Sequence, residues 1–230
     1  MKPVVLSASR MCDLPAWYPD FLISETEHRR ASGQVIHTLV LWTKHPGRLL
    51  TPPLAPYLKH ILRSGTGLYF HITVTGMGGR VCGKQSEGKE WKPEPLAPDP
   101  IESLACLEEV VKLGGSPVCV RLRIDPLLKV KDAEGRFFSN QEFLATGAIF
   151  AAKAGIRRVS FSLAEPGNYQ KTDRRFRQLG ISIMPFSVED REALKKELER
   201  ITAETGVEFS ACYTPGFPVS SCIDGEELKR

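Results

Sequence analysis

The feature that most constrains this chain is an alternation of short two-faced strands with amphipathic helices. Strand-like runs occur at "PVVLSAS", "QVIHTLVLWTK", "LYFHITVT", "PVCVRLRID", "IRRVSFSLA", "ISIMPFS" and "VEFSACY", each bounded by turn residues. Helical patterns fill the intervals at residues 16–30, 53–63, 100–112, 140–153, 168–178 and 189–205. Gly155, Gly180 and Gly206 each stand between a helix and the following strand, where a left-handed cap is expected. Ser187 and the Ser139–Glu142 pair read as helix starts, and Pro100 suits a first helical turn. Regular β-α alternation implies parallel strands joined by right-handed crossovers.

The strand faces narrow the choice further. Internal strands of a doubly wound sheet are covered on both sides and tend to be apolar throughout. Here Val120, Leu122 and Ile124 alternate with Arg121, Arg123 and Asp125, and Phe70, Ile72 and Val74 with His71, Thr73 and Thr75. Ser160 and Ser162 alternate with Val159, Phe161 and Leu163, and Ser7 and Ser9 flank Ala8. This pattern predicts a single α/β domain over residues 1–230: an open or partial TIM-like (β/α) barrel of about seven parallel strands and six helices. Its apolar strand faces meet the helices and its polar faces line a lumen. A closed eight-stranded barrel fills its interior with branched apolar side chains, so a polar interior points to a wider or incomplete one holding a polar ligand.

Within that frame, Arg121, Arg123 and Asp125 face inward. A buried charge is costly unless paired, so one arginine and Asp125 either form an internal salt bridge or serve a ligand. The surplus arginine suits a carboxylate or phosphate. Lys44 in "LWTKHP" ends the second strand, beside Trp42. It either forms a Schiff base, as in a lyase or aldolase-type barrel, or reaches a ligand or an internal carboxylate. Lys44 and Asp125 are the candidate proton-transfer groups. Ser7, Ser9, Arg10, Trp42, Thr73, Thr75, Arg121, Arg123, Ser160 and Ser162 are candidate ligand contacts. Asp13 is explained as a cap for a helix beginning near Pro15. The long connection from Gly76 to Asp99, "GMGGRVCGKQSEG" followed by prolines, is either a lid or a surface insertion.

Net charge is +4, from 31 basic and 27 acidic residues, too mixed to identify a nucleic-acid partner. The basic stretches at 156–158 and 171–177 leave a nucleic-acid-binding module as an alternative, against a solvated helix face. The N-terminus lacks the apolar core of a signal peptide, and no apolar run reaches 18 residues. The expectation is a cytoplasmic protein with no membrane segment and a small anionic ligand. Histidine spacing matches no zinc motif. The six cysteines form no C-x-x-C pair, which predicts reduced thiols. Cys12, Cys82, Cys212 and Cys222 are candidates for convergence on a metal at one rim, whereas Cys106 reads as helix core and Cys119 as lying deep in the lumen.

Taken together, "SASRMCDLPAW", "LWTKHP", "ITVTG", "RIDP" and "SCIDGEEL" resemble, in order and spacing, a bacterial and archaeal family catalogued as domain of unknown function 1848. The matching positions are Ser7, Ser9, Arg10, Asp13 and Pro15, then Trp42, Thr43, Lys44 and Pro46, then Thr73 and Thr75. Arg123, Asp125 and Pro126 follow, with Cys222 and Asp224 at the end. The resemblance implies a radical S-adenosylmethionine-like barrel enzyme with S-adenosylmethionine and a 4Fe-4S cluster, held by a cysteine-rich segment that follows "SCID" in relatives. This sequence reaches Arg230 without such a segment, and Met11 and Cys12 replace a pair that is usually polar.

Overall fold

The computed structural model describes residues 2–9, 11–221, 223, 225 and 228. Its main element is a six-stranded parallel sheet: β1 (Val4–Ala8), β2 (Ile36–Thr43), β3 (Gly67–Thr73), β4 (Val120–Leu127), β5 (Arg158–Leu163) and β6 (Glu208–Ala211). Spatial order follows chain order, with β1 and β6 at opposite edges. The fold is therefore an open α/β sheet.

The helices are α1 (Pro19–Ala31), α2 (Leu54–Arg63), α3 (Leu107–Gly114), α4 (Phe143–Lys153), α5 (Gln170–Gln178) and α6 (Val188–Thr205), with shorter turns at Leu14–Trp17, Pro46–Leu49 and Pro100–Ala105. Their sequence signals operate as physical chemistry requires. Ser187 and Asp190 form a reciprocal capping box at the start of α6. Asp99 caps the Pro100 turn. Gly155, Gly180 and Gly206 all take positive φ. The Ser139–Glu142 box does not form: Glu142 itself occupies the cap position of α4, and Ser139 Oγ accepts from the Gln141 amide instead.

Lateral register explains the two-faced strands. Leu41, Phe70 and Val120 are neighbours on one face, as are Ile124, Phe161 and Ala211. These residues pack with Leu58, Ile61, Val110, Leu144, Ala148, Leu194 and Ile201 of the helices in one buried cluster. On the other face, Trp42, His71 and Arg121 form one row, and Thr73, Arg123, Ser160 and Ser210 form the next.

Two expectations are corrected here. "ISIMPFS" does not supply a seventh parallel strand. Ser182–Ile183 pairs antiparallel with Lys129–Lys131, which pairs in turn with Phe137–Ser139. Period-two alternation identifies a strand but not its partner. The opening of "PVCVRLRID" is also not strand: Pro117–Cys119 is a 3-10 turn capped by Ser116. Cys119 consequently lines a separate recess with Gly114, Gly115 and Ser116, not the deep interior of the sheet's polar side.

The small sheet, the Gly83–Lys84/Glu90–Trp91 hairpin and α5 enclose a second apolar cluster containing Met77, Cys82, Trp91, Leu128, Val130 and Ile181, with Phe176 packed against it. No helix among the described residues is long and apolar enough to cross a membrane.

Candidate functional site

A cleft of about 550 Å³ opens at the carboxyl ends of the parallel strands, where α/β folds collect residues from several loops. Ser9 enters it from the end of β1, Trp42, Thr43, Lys44 and His45 from β2, Thr73 from β3, and Arg123 and Asp125 from β4. Residues 93–97 of the long connection form the opposite wall. A second cavity, of about 840 Å³, adjoins the first and shares Pro93, Glu94, Pro95, Asp125 and Arg175 with it.

Three carboxylates organise the cleft. Asp125 is ion-paired with Arg123 and accepts a hydrogen bond from the Ser162 hydroxyl, so the internal salt bridge, one of the two alternatives for this strand, is present. The Arg123 guanidinium lies 5.0 Å from the centre of the Trp42 ring, within cation–π range. Trp42 itself stacks on His71, with centroids 3.7 Å apart and planes 8° from parallel. The arginine therefore rests on a two-ring platform.

Glu94 joins the long connection to the sheet. It pairs with Lys44 and accepts from the Thr75 hydroxyl at 2.6 Å. Thr75 also accepts the Met77 amide at 3.1 Å. Lys44 thus faces a carboxylate and not the apolar pocket that activates an amine nucleophile. Asn140, buried behind this wall, donates to the carbonyls of Thr75 and Pro126 and accepts the Leu128 amide, which ties the ends of β3 and β4 together.

Asp13 caps Leu14–Trp17 by accepting from the Ala16 amide at 3.2 Å, and does more. Its other oxygen accepts from the Thr43 hydroxyl at 3.0 Å and the Lys44 amide at 2.8 Å, and lies 3.1 Å from His45 Nδ1. Burial alone pushes this carboxyl up, but the bonds from His45, the Lys44 amide and Thr43 together hold it below the usual carboxylate range. His45 is raised above the ordinary imidazole range by the bond to Asp13, against the opposing effect of burial, with help from the Leu96 carbonyl. Its Nε2 is 2.9 Å from that carbonyl oxygen. Both ring nitrogens face acceptors, an arrangement that favours imidazolium.

The candidate contacts divide into groups. Ser9, Trp42, Lys44, Thr73, Arg123 and Asp125 meet in the first cavity, and Ser162 lines the second. Thr75 stands behind Glu94. Ser160 is buried in the Arg123 row and lines neither cavity, and Ser7 accepts the Trp42 indole N–H at 3.1 Å from the open face of β1. Arg121 lies one row below Arg123. It donates to the Ser221 carbonyl at 2.9 Å and belongs to a recess with Arg158 and Glu208. Face assignment by parity was right for both arginines, but they line different cavities. Arg10 and Cys222 lie outside the described residues. Glu94, His45 and Arg175 were not among the candidate site residues. Glu94 had no readable signal, because an acid 50 residues from Lys44 is placed only by the loop's path.

Among the described residues, the cysteines are not grouped as ligands of an iron–sulfur centre. Cys12 is exposed and lines the cleft. Cys82 is buried in the second apolar cluster, where burial pushes its thiol up to about 11. Cys212 follows β6, its amide bonded to the Phe161 carbonyl. Among the described residues, no three His, Cys, Asp or Glu side chains are grouped to hold a metal. Cys12, Cys82 and Cys212 form no such group, and Cys222, the fourth expected member, lies outside the described residues.

Comparison with known proteins adds one assignment. No curated protein matches the chain. The carboxyl transferase domain of pyruvate carboxylase from Rhizobium etli aligns at 13% identity, covering 99% of this chain but 44% of its own length, with a TM-score of 0.29. So low a score supports no argument about fold or activity. The family model described as "Domain of unknown function (DUF1848)" matches residues 5–230, and with "SASRMCDLPAW", "LWTKHP" and "RIDP" now placed around one cleft, the chain belongs to that family.

Proposed function

We propose that this chain is the binding and catalytic part of an enzyme acting on a small anionic molecule at the carboxyl ends of the strands. The observation that carries this reading is the convergence of Lys44, Arg123, Asp125 and Glu94, from two strands and one long connection, on one cleft of about 550 Å³. Arg123, held over Trp42, presents a planar donor fork suited to a carboxylate or phosphate. The Lys44–Glu94 and Arg123–Asp125 pairs place acid and base groups on facing walls, where an entering anion competes for the cation and frees a carboxylate to accept a proton.

We further read the sheet as part of a barrel. Its chain-order strand sequence, with helices packed on one face and polar side chains on the other, supports that reading. Radical chemistry with S-adenosylmethionine rests on the resemblance alone.

The test is a thermal-shift panel of small carboxylates and phosphates on the wild-type chain, Arg123→Gln and Lys44→Met. At least one anion is expected to raise Tm by several degrees at millimolar concentration, with the rise lost in Arg123→Gln. No response to any anion, or a response unchanged in both variants, refutes the reading.

A further inference from the structure

The second cavity, at about 840 Å³ against about 550 Å³, is the larger of the two. It exceeds what an anionic head group needs, and about half of its lining residues are apolar or aromatic, among them Met77, Trp91, Leu128, Phe176 and Ile183, with Glu165, Lys171 and Asp173 among the charged ones. Trp91 meets Phe176 edge-on with centroids 5.2 Å apart, and Tyr169, 67% exposed, stands at the same cavity. The two cavities meet along Glu94, Asp125 and Arg175. The shared residues put the apolar side chains of the second cavity next to the anion site, on the other side of Asp125. Aromatic and apolar walls interspersed with polar groups are a usual construction of a site for an organic ligand.

We infer that the substrate is an elongated amphipathic anion, its carboxylate or phosphate held by Arg123 and Lys44 and its aromatic or similarly flat apolar body lodged against Trp91, Phe176 and Ile183. This rests on the anion-site reading and adds the class of molecule. The long connection supplies both Glu94 to the polar end and Trp91 to the apolar end, so one segment sets both halves of the specificity.

The test compares inorganic phosphate with 1-naphthyl phosphate by isothermal titration on wild type, Ile183→Trp, Tyr169→Ala and Arg123→Gln. Naphthyl phosphate is expected to bind at least tenfold tighter than phosphate. Ile183→Trp, which fills the chamber, removes that gain without changing phosphate affinity. Tyr169→Ala, at an exposed position that leaves the core intact, reduces it severalfold. Equal affinities for the two probes, with phosphate binding still dependent on Arg123, overturn the apolar chamber and leave the anion site standing. Naphthyl phosphate binding that ignores Arg123→Gln but responds to Ile183→Trp overturns the anion site and keeps the chamber. Binding of neither probe overturns both.

Discussion

The two faces of this sheet come from the same strands, one residue out of step, and solve different problems. Leu122 on the helix side is fully buried among aliphatic and aromatic neighbours, and its contribution comes from area removed from water. Arg123 beside it in the chain is held by Asp125 and Trp42, and what it contributes is position. The helix face supplies most of the apolar burial, while the other, beside a smaller buried cluster of Val40, Trp42 and Tyr69, keeps charged groups aimed at a space. A polar side chain on a strand is thus a sign of a site only when a cavity stands over it. Arg121, on the same polar face, is bonded to the Ser220–Ser221 segment and lines only a smaller recess of about 270 Å³ apart from the cleft.

This contrast can be broken or sharpened experimentally. The largest effect is expected from Leu122→Ala, which leaves a cavity in the helix-facing core and costs about 3–5 kcal/mol of unfolding free energy. Urea denaturation measures it. Anion affinity at 25 °C should remain unchanged in the folded fraction, and a large affinity loss would show that the faces are coupled. Asp13→Ala acts on the other side. It strands the Thr43 hydroxyl and the Lys44 amide in a half-buried corner, with an expected loss of about 1–3 kcal/mol. Here anion affinity should fall as well, since Lys44 loses its backbone anchor.

A smaller and pH-dependent effect belongs to His45. Its value in the folded chain is raised, so the stability contributed by imidazolium is fully present below the ordinary imidazole pKa of about 6.5 and is lost as pH rises through the raised value. Asp13 is lowered; its contribution is present above the ordinary carboxylate value of about 3.9 and is lost as pH falls through the lowered one. The bridge from Asp13 through His45 to Leu96 is therefore complete from about pH 4 to 6.5. His45→Gln should cost about 0.5–1 kcal/mol at pH 5 and much less at pH 9, compared by urea midpoints. An equal deficit at both pH values would mean that the ring matters for packing alone.

Much of this architecture was legible because it depends on local rules. Alternation assigned Leu122 and Arg123 to opposite faces, and the glycines at 155, 180 and 206 marked helix ends through their need for positive φ. What escaped was set by partners distant in the chain. Ile183 alternates with its neighbours like a barrel strand, yet pairs with Val130. Glu94 sits among prolines in a stretch with no period, and only the path of the connection carries it to Lys44 and Thr75. Asp13 was legible as a cap, but its three further contacts to residues 43–45 depend on β1 and β2 lying side by side. Depth along a strand was harder to read than face, which is why Arg121 and Arg123 were grouped together.

Ser9 carries one further implication. Its backbone takes φ of 68° and turns away from the sheet, while its hydroxyl accepts the Trp42 amide at 2.9 Å and lies 2.8 Å from the Trp42 carbonyl. The side chain thereby serves as one more rung of the β1–β2 ladder after the main chain has left it. The chain leaves strand geometry at Ser9 without leaving the Trp42 backbone unsatisfied, so substitutions at Met11 and Cys12, which line the cleft, can reshape its mouth while Trp42 beneath Arg123 stays fixed.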